Sequence, residues 1–360
     1  MDEKNRLREQ IDGLDQRFLE ILNERMALVQ AICAVKQKEG AQVADWQREE
    51  SLLSNLQQQN RGPLKPQALR NVYLEILSAS RELQRPLGVA FLGPEATFSH
   101  MAALKKFGRS ASFHPFSSIH EVFSAIEKGK VDYGVVPVEN STEGAVNDTL
   151  DHLVASPLNV CGEIVLRISH DLLSSSGQLC DAEVIYTHPQ AHGQCRHWLA
   201  AHLPDLPVVE VSSTGAAAQK AAKNPNSAAI ASEIAAPLYG LKVLEHRIED
   251  EPTNTTQFFL LGNDAPGPTE KDKTSILFAV DDGPGALHQA LRPLAEQGIN
   301  MTRIVSKPAR SEQWRYFFFV DMEGHQTQTP VQQALAEIES LCPRFRVLGS
   351  FPRSECIYGL

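Results

Sequence analysis

Two basic residues interrupt an apolar pattern near the start of the chain. Apolar side chains recur at heptad spacing between positions 7 and 35, and residues 5–39 contain no proline, which is typical of a long helix packed along another helix. Arg25 stands where this pattern requires an apolar residue, and Lys36 returns to within about 20° of the same helix face. Because a buried guanidinium is costly without an anionic partner, the pattern predicts two cations lining one buried stripe.

Polar residues recur at helical spacing in the next two predicted helices. Asp45, Arg48 and Glu49 share one face of the second helix, and Ser80 and Gln84 lie one turn apart in the third, which we expect over about residues 66–84. These patterns alone leave two interpretations open. One is a helical dimerisation hairpin with surface charges, and the other is a site for an anionic ligand.

Taken together, residues 1–86 resemble the all-α chorismate mutase family. The positions that match the active residues of that family are Arg8, Arg25, Lys36, Asp45, Arg48, Glu49, Ser80 and Gln84. The resemblance implies chorismate as the substrate, prephenate as the product and an intertwined homodimer in which Arg8 enters the partner's site. The helix geometry agrees, because Arg8 lies about 260° around the helix from Arg25.

The implied reaction is a unimolecular rearrangement that needs orientation and charge stabilisation. Arginines that clamp two carboxylates supply the orientation, while Lys36 and Gln84 donate to the ether oxygen on which negative charge develops. Asp45 and Glu49 then receive the ring hydroxyl or orient the arginines.

From residue 87 onward, short apolar runs alternate with helical stretches. This alternation predicts an α/β fold with largely parallel sheets, in which ligands bind at strand ends. Several strands lead directly into polar turns, at 93–99, 138–144 and 211–215. Their serines and threonines fit either helix N-caps or an anion-binding site formed by helix N-termini.

Residues 88–262 resemble prephenate dehydratase through the ordered motifs G-P-x-x-T-F-S, V-P-x-E-N and H-P-Q. The resemblance implies two α/β lobes that close around prephenate. The predicted substrate-binding residues are Thr97, Ser99, Glu139, Asn140, Ser141, His188, Gln190, Ser213, Thr214 and Thr256.

Thr256 is the predicted proton donor, because it matches the threonine of the family's T-R-F motif. Glu139 and His188 are the alternatives. Gln257 replaces the arginine of that motif, which raises the question of how one substrate carboxylate is neutralised. We predict no cofactor and no metal.

After a linker over 264–273, the order of predicted elements is βαββαβ, the ferredoxin-like arrangement. Residues 274–360 resemble ACT regulatory domains, which implies phenylalanine as an effector and Gly285, Ala286, Leu287 and Ser306 as allosteric residues. The family's E-S-R-P motif appears here with Val305 and Lys307 in place of its Glu and Arg. These replacements predict weaker phenylalanine binding.

Composition limits the alternatives. The 360 residues carry a net charge of −10, which argues against nucleic acid as the main partner, and no apolar run is long enough to span a membrane. Six scattered cysteines favour a reduced, cytoplasmic protein. We expect an all-α domain at 1–86, a bilobal α/β domain at 87–263, the linker at 264–273 and an α+β domain at 274–360.

The three resemblances together predict a bifunctional enzyme of phenylalanine biosynthesis with two consecutive activities and feedback inhibition by phenylalanine. The alternative is a non-catalytic ligand-sensing protein with a helical dimerisation module. Arg25 on the apolar stripe favours the enzyme, because a dimerisation helix has no need of a cation there.

Overall fold

The computed structural model describes residues 2–39, 43–308, 316–354 and 356–357. The chain forms two compact units. The helical unit comprises Met1–Leu87 with Phe107–Ala111, and the second unit comprises Gly88–Lys106 with Ser112–Leu360.

Three helices build the helical unit: α1 (Glu3–Glu39), α2 (Trp46–Gln59) and α3 (Pro66–Glu82). Asp45 caps the N-terminus of α2, where its side chain accepts a hydrogen bond from the backbone of Arg48. Pro66 occupies the first turn of α3, where a missing N–H costs nothing. The three predicted helices are confirmed.

The heptad residues of α1 are exposed in the single chain. Each exposes at least half of its surface, and the set comprises Leu7, Ile11, Leu14, Phe18, Ile21, Leu28, Ile32 and Val35. The 37 residues of α1 far exceed the 14 of α2 and the 17 of α3, so these two helices cannot cover it. Across the described ranges, none of the helices has the apolar run that crossing a bilayer requires.

The first lobe of the second unit is a mixed sheet in the order β16-β5-β11-β3-β1-β2, with β4 beside β3. Its strands are β1 (Gly88–Leu92), β2 (Ser112–Phe116), β3 (Tyr133–Asn140), β4 (Gly144–Ala145), β5 (Asn159–Arg167), β11 (Thr255–Gly262) and β16 (Cys356–Ile357). Its helices are α4 (Phe98–Phe107), α5 (Ile119–Glu127) and α6 (Asn147–Ala155).

The second lobe is a five-stranded sheet in the order β10-β6-β9-β7-β8. The strands are β6 (Asp171–Ser174), β7 (Val184–Thr187), β8 (Val208–Glu210), β9 (Ser227–Ala231) and β10 (Lys242–Glu245). The helices are α7 (Pro189–Gln194), α8 (Arg196–His202), α9 (Thr214–Lys223) and α10 (Ala235–Tyr239), with a 3₁₀ turn at Leu179–Asp181.

The prediction of largely parallel sheets is only partly right. The pairs β1–β2, β1–β3, β7–β8 and β7–β9 are parallel. Strand β11, however, returns from the second lobe and runs antiparallel between β3 and β5. This insertion brings the end of β3 beside the start of β11.

The C-terminal domain has the predicted βαββαβ order: β12 (Asp272–Val280), α11 (Ala286–Glu296), β13 (Met301–Pro308), β14 (Tyr316–Glu323), α12 (Thr329–Leu341) and β15 (Arg344–Pro352). Its sheet runs β13-β14-β12-β15. One face of the sheet, including Phe278 and Phe318, packs on α11 and α12. The other face, including Phe319 and Phe351, packs in the core of the first lobe.

Candidate functional site

In the helical unit, Arg25 is turned toward α3. Its Nη1 donates to Ser80 Oγ at 2.5 Å, and Ser80 Oγ in turn donates to the carbonyl of Ile76 at 2.6 Å. Lys36 Nζ donates to the carbonyl of Val43 at 3.1 Å. Arg25 and Lys36 are both half-buried. The structure therefore brings together Arg25 and Ser80, two of the residues that the resemblance implied, while the apolar face of α1 remains exposed.

Glu49 is held by Arg81, a residue that the sequence reasoning missed. Arg81 Nη1 lies 2.7 and 2.5 Å from the two carboxylate oxygens of Glu49, and its Nη2 donates to the carbonyl of Phe107 at 2.7 Å. The guanidinium also stacks over the Trp46 ring at 5.5 Å. Arg81 directly follows Ser80 in α3, so the Arg25–Ser80 pair and the Glu49–Arg81 pair involve the same turn of that helix.

Other predicted residues of this unit lie elsewhere. Asp45 precedes α2 as its N-cap instead of sharing a helix face with Glu49. Arg8 and Arg48 are exposed, and Gln84 lies just beyond the end of α3. Arg8 is seventeen residues from Arg25, or about 25 Å along α1. It cannot reach the Arg25 site of its own chain.

In the second unit, Asn140 at the end of β3 connects the site residues. Its Oδ1 accepts hydrogen bonds from the backbone N–H of Thr142 at 3.0 Å and that of Glu143 at 3.2 Å. Because a backbone N–H can only donate, these bonds fix the orientation of the amide. Its Nδ2 therefore donates to Thr256 Oγ1 at 2.8 Å and to Asn254 Oδ1 at 2.9 Å.

Thr256 is buried at 8% exposure and pairs with Asn140 across β11 and β3. Since its Oγ1 accepts from Asn140, its own proton must point elsewhere. Ser141 completes the cluster, because its Oγ donates to Asn254 Oδ1 at 3.2 Å and accepts from the backbone of Thr255 at 2.9 Å. Asn140, Ser141 and Thr256 thus meet as predicted.

Glu139 and Gln257 face away from this cluster. They pair with each other in the β3–β11 register, on the opposite face from Asn140 and Thr256. Gln257 Nε2 donates to Glu163 Oε2 at 2.8 Å, and Lys273 Nζ lies 2.9 Å from the same oxygen. The replacement of arginine at 257 therefore removes no cation from the Thr256 face.

Several predicted residues act as helix N-caps. Ser213 Oγ accepts from the backbone of Ala216 at the start of α9. Thr97 Oγ1 accepts from the backbone of His100 at 3.3 Å and donates to the carbonyl of Leu92 at 3.0 Å. Thr214 is the first residue of α9, and Ser99 is buried in α4. The capping interpretation is thus correct for Thr97 and Ser213.

His188 also caps a helix, since its Nδ1 accepts from the backbone of Gln190 at the start of α7. Burial lowers the pKa of His188, although Glu143 and Glu210 act in the opposite direction. A lowered pKa keeps the imidazole neutral near pH 7, so His188 is a poor proton donor there.

Gln194 and His170 are hydrogen-bonded to this cluster, and the sequence reasoning did not name them. His170 Nε2 lies 2.8 Å from Gln194 Oε1, and Gln194 Nε2 donates to Thr142 Oγ1 at 3.4 Å. Thr142 Oγ1 then donates to Asn140 Oδ1 at 2.6 Å. Burial lowers the pKa of His170, which supports a neutral ring that donates to Gln194. The sequence signal that could have indicated Gln194 was its position one helical turn after Gln190.

A cavity of about 450 Å³ adjoins this network. Its lining comes from both lobes and their connections, and consists of Phe98, Met101, Arg167, Ser169, Asp171, Glu233, His246 and Arg247. Ser169 and Asp171 line the cavity, whereas His170 between them contacts Gln194. None of the predicted site residues lines it.

In the C-terminal domain, the predicted effector residues lie on the helical side of the sheet. Gly285 caps α11 with a φ of 79°, and a Cβ there would meet no atom within 4 Å. Ser306 pairs with Phe318, which packs in the same cluster as Leu287. Val305 and Lys307 pair with Phe319 and Phe317, which pack on the first lobe. The presence of Val305 and Lys307 in place of the motif's Glu and Arg therefore removes no polar side chain from the face of β13 that carries Ser306.

Comparison with known families identifies three regions in the same order. Residues 7–85 match chorismate mutase type II, residues 89–266 match prephenate dehydratase, and residues 274–340 match the ACT domain.

Similar proteins match nearly the whole chain. The bifunctional chorismate mutase/prephenate dehydratase of Aquifex aeolicus (strain VF5) is 42% identical over 358 residues, covering 98% of this chain and 99% of the relative. The protein of the same description from Stutzerimonas stutzeri is 43% identical over 359 residues, covering 98% of each. The crystal structure of prephenate dehydratase from Arthrobacter aurescens in complex with L-Phe has a TM-score of 0.69 and 35% identity, covering 74% of this chain and 90% of that one.

Proposed function

The chain belongs to the bifunctional chorismate mutase/prephenate dehydratase family, and from this premise we propose which of its residues perform the two reactions. It is an enzyme of phenylalanine biosynthesis that rearranges chorismate to prephenate and then converts prephenate to phenylpyruvate. The observation that carries the residue assignment is the hydrogen bond from Asn140 to Thr256, because it leaves one buried hydroxyl with a proton to donate.

For the rearrangement, Arg25 binds a carboxylate of chorismate with Ser80 beside it. Their 2.5 Å hydrogen bond sets the direction of the guanidinium. Lys36 and Gln84 donate to the ether oxygen, and Arg48 adds positive charge near the start of α2. Glu49 is already paired with Arg81, so its role is to orient that arginine and, with Asp45, to receive the ring hydroxyl. Fixed donors of this kind stabilise the charge that develops in the transition state.

We propose a homodimer that pairs α1 with α1 of a second chain. The exposed heptad residues form an apolar stripe along a 37-residue helix, which is the pattern of helices that associate. Arg8 lies on this helix, about 25 Å from Arg25, and would serve the partner's site. Each mutase site would then contain residues of both chains.

For the dehydration, Thr256 donates its proton to the ring hydroxyl of prephenate. That hydroxyl leaves as water, while the bond between the ring carbon and its carboxylate breaks, releases carbon dioxide and supplies the electron pair that makes the ring aromatic. Thr256 Oγ1 then regains its proton from water. Asn140 holds Thr256 Oγ1, and Gln194 and His170 hold Thr142 beside Asn140. His188 and Glu139 are weaker candidates, because His188 has a lowered pKa and Glu139 lies on the opposite face.

We further propose that Ser141 and Gln190 contact prephenate. The other proposed contacts lie at the starts of α4 and α9, and these are Thr97, Ser99, Ser213 and Thr214. Backbone N–H groups at such helix starts favour carboxylates. The hydroxyls of Thr97 and Ser213 already cap their helices. The backbone N–H groups at these helix starts, and not the hydroxyls, would therefore bind the substrate.

We also propose phenylalanine as the feedback effector of this enzyme. The related dehydratase was solved in complex with L-Phe, and this chain carries an ACT domain over the matching region. Gly285, Ala286, Leu287 and Ser306 would bind it, since the open space at Gly285 admits a ligand close to the backbone.

Two further proposals come from the sequence. The boundaries 1–86, 87–263 and 274–360 are supported by the three matched regions. The cytoplasm is the proposed location. The free thiols of Cys33, Cys161, Cys180, Cys195 and Cys342 are compatible with a reducing compartment.

The direct experiment feeds purified protein with chorismate and follows prephenate and phenylpyruvate separately. We expect prephenate to appear first and phenylpyruvate to follow. A second reaction started from prephenate measures the dehydratase alone. Binding of chorismate or prephenate without turnover would instead support the ligand-sensing alternative.

A further inference from the structure

One strand of the regulatory domain presents charged side chains to the dehydratase lobe. Arg303, Val305 and Lys307 lie at alternate positions of β13, so they share one face. Their register partners Asp321, Phe319 and Phe317 belong to the sheet face that packs on the first lobe. Ser306 lies on the opposite face of the same strand.

Lys307 binds two residues of α6. Its Nζ lies 2.7 Å from Asp151 Oδ1 and donates to the carbonyl of Asn147 at 2.8 Å. The Lys307 side chain is 8% exposed, so this charge is largely removed from water. A lysine buried to this extent needs the anionic partner that Asp151 supplies.

Arg303 reaches the end of β3. Its Nε lies 2.8 Å from Asp321 Oδ2, and the guanidinium lies 5.2 Å from the centre of the Phe259 ring. Its Nη1 is 3.7 Å from Glu139 Oε2, and among the described residues this buried nitrogen has no hydrogen-bond acceptor. An approach of about 0.8 Å would complete that hydrogen bond.

The contacts of Arg303 with Glu139 and of Lys307 with Asn147 lie on either side of the segment that contributes residues to the proposed dehydratase site. We name residues 140–146, between Glu139 and Asn147, the site loop. It contains Asn140, Ser141 and Thr142, which connect Thr256 to Gln194. Strand β13 therefore holds the protein chain immediately before and immediately after the site loop.

We propose that Arg303 and Lys307 are positioning residues for prephenate dehydration, which hold the site loop so that Asn140 orients the Thr256 hydroxyl. The inference rests on the proposed dehydratase site. It also assigns the route by which an effector on the Ser306 face changes the rate, because any shift of β13 moves both ends of the site loop. Lys307, at the arginine position of the E-S-R-P motif, serves the active site and not the effector.

The test compares Lys307→Met with Lys307→Arg in the full chain. Lys307→Met removes the charge at similar length, whereas Lys307→Arg keeps a cation for Asp151. We expect Lys307→Met to lower kcat for prephenate dehydration about tenfold or more with less than a threefold change in KM, because Asn140 and Thr256 act on the transition state. Lys307→Arg should recover most of kcat.

Two controls separate positioning from general damage. Arg353→Met breaks an exposed ion pair of the same domain, between Arg353 and Glu323, and should leave kcat unchanged. Chorismate mutase activity of each preparation reports the amount of folded helical unit, and thermal unfolding followed by circular dichroism reports whether the second unit is folded. Asp151→Asn breaks the same contact from the other side and replaces Lys307→Met if that variant does not fold.

The Arg303 contact is tested by a double-mutant cycle of Arg303→Gln and Glu139→Gln. We expect the double variant to lose no more kcat than the worse single variant. Wild-type kcat in Lys307→Met and Asp151→Asn, or additive losses in the cycle, would overturn the proposal. Thr256→Val in the same assay separates failure of the positioning proposal from failure of the proposed dehydratase site. If Thr256→Val does not lower kcat, the proposed site itself is rejected.

Discussion

The side-chain amide of Gln257 donates to Glu163 at 2.8 Å, on the face of β11 opposite to the Thr256 hydroxyl. Glu163 is buried at 3% exposure and also binds Lys273, so its charge is neutralised from the regulatory domain. Position 257 thus belongs to the contact between the dehydratase sheet and β12. The neighbouring Thr256 instead accepts a hydrogen bond from Asn140, in the proposed active site.

This separation predicts the effect of restoring the arginine of the family motif. Gln257→Arg should pair with Glu163 in competition with Lys273 and change kcat for prephenate dehydration by less than about threefold. Steady-state kinetics on prephenate measure this. A gain in prephenate affinity of about tenfold or more would show that the residue at 257 reaches the substrate.

Thr256→Val should abolish most dehydration, because it keeps the shape of the side chain and removes the proton donor. General acid catalysis is worth about 10²–10⁴-fold, so we expect a loss in that range while prephenate still binds. Thr255→Val is the matched control on the adjacent position and should stay within about threefold of wild type. Unchanged dehydration by Thr256→Val would move the proton-donor role to His188 or Glu139.

Arg25→Ala should lower chorismate turnover by orders of magnitude, since a lost charge-assisted bond in the transition state is worth about 2–4 kcal/mol. Lys36→Ala should have a similar effect. Dehydration of supplied prephenate should continue in both variants. Arg17→Ala removes an exposed arginine of the same helix and serves as the control. A folded Arg25→Ala enzyme with normal mutase activity would contradict the assignment.

Mixing two inactive variants tests the shared mutase site. Arg8→Ala chains and Arg25→Ala chains should each lack mutase activity, and their mixture should regain part of it through hybrid dimers. One of the two sites in such a dimer has both arginines intact. Subunit exchange is followed by co-purification of differently tagged chains, and exchange without recovered activity would reject the shared site.

Phenylalanine binding tests the role of the second ACT motif. Because Lys307 faces the dehydratase lobe, Lys307→Arg should not tighten phenylalanine binding to the full chain, whereas Ser306→Val should weaken it. Calorimetric titration with phenylalanine gives both affinities. Tighter binding by about tenfold in Lys307→Arg would place this side chain in the effector site, as the motif alone suggested.

Local sequence patterns were sufficient for the order of elements and for part of the sites. Heptad spacing predicted α1, alternating apolar runs predicted most strands of the two lobes, and the βαββαβ order of the C-terminal domain was correct. The family motifs named Arg25 and Ser80, and Asn140 and Thr256, among the candidate site residues, and the structure joins the members of each pair. Such choices depend on periodicity and on chemical character, which are local properties of the chain.

Only the tertiary structure decided which face of each strand meets which neighbour. Adjacent residues of a strand point to opposite faces, so Glu139 and Asn140 were one motif in the sequence and have different partners in the fold. Lys307 finds Asn147 at a separation of 160 residues, a contact that no local pattern specifies. The sequence by itself determined the three domain types and the candidate residues of the two sites. Long-range packing decided which of their charged residues face a substrate and which hold one domain against another.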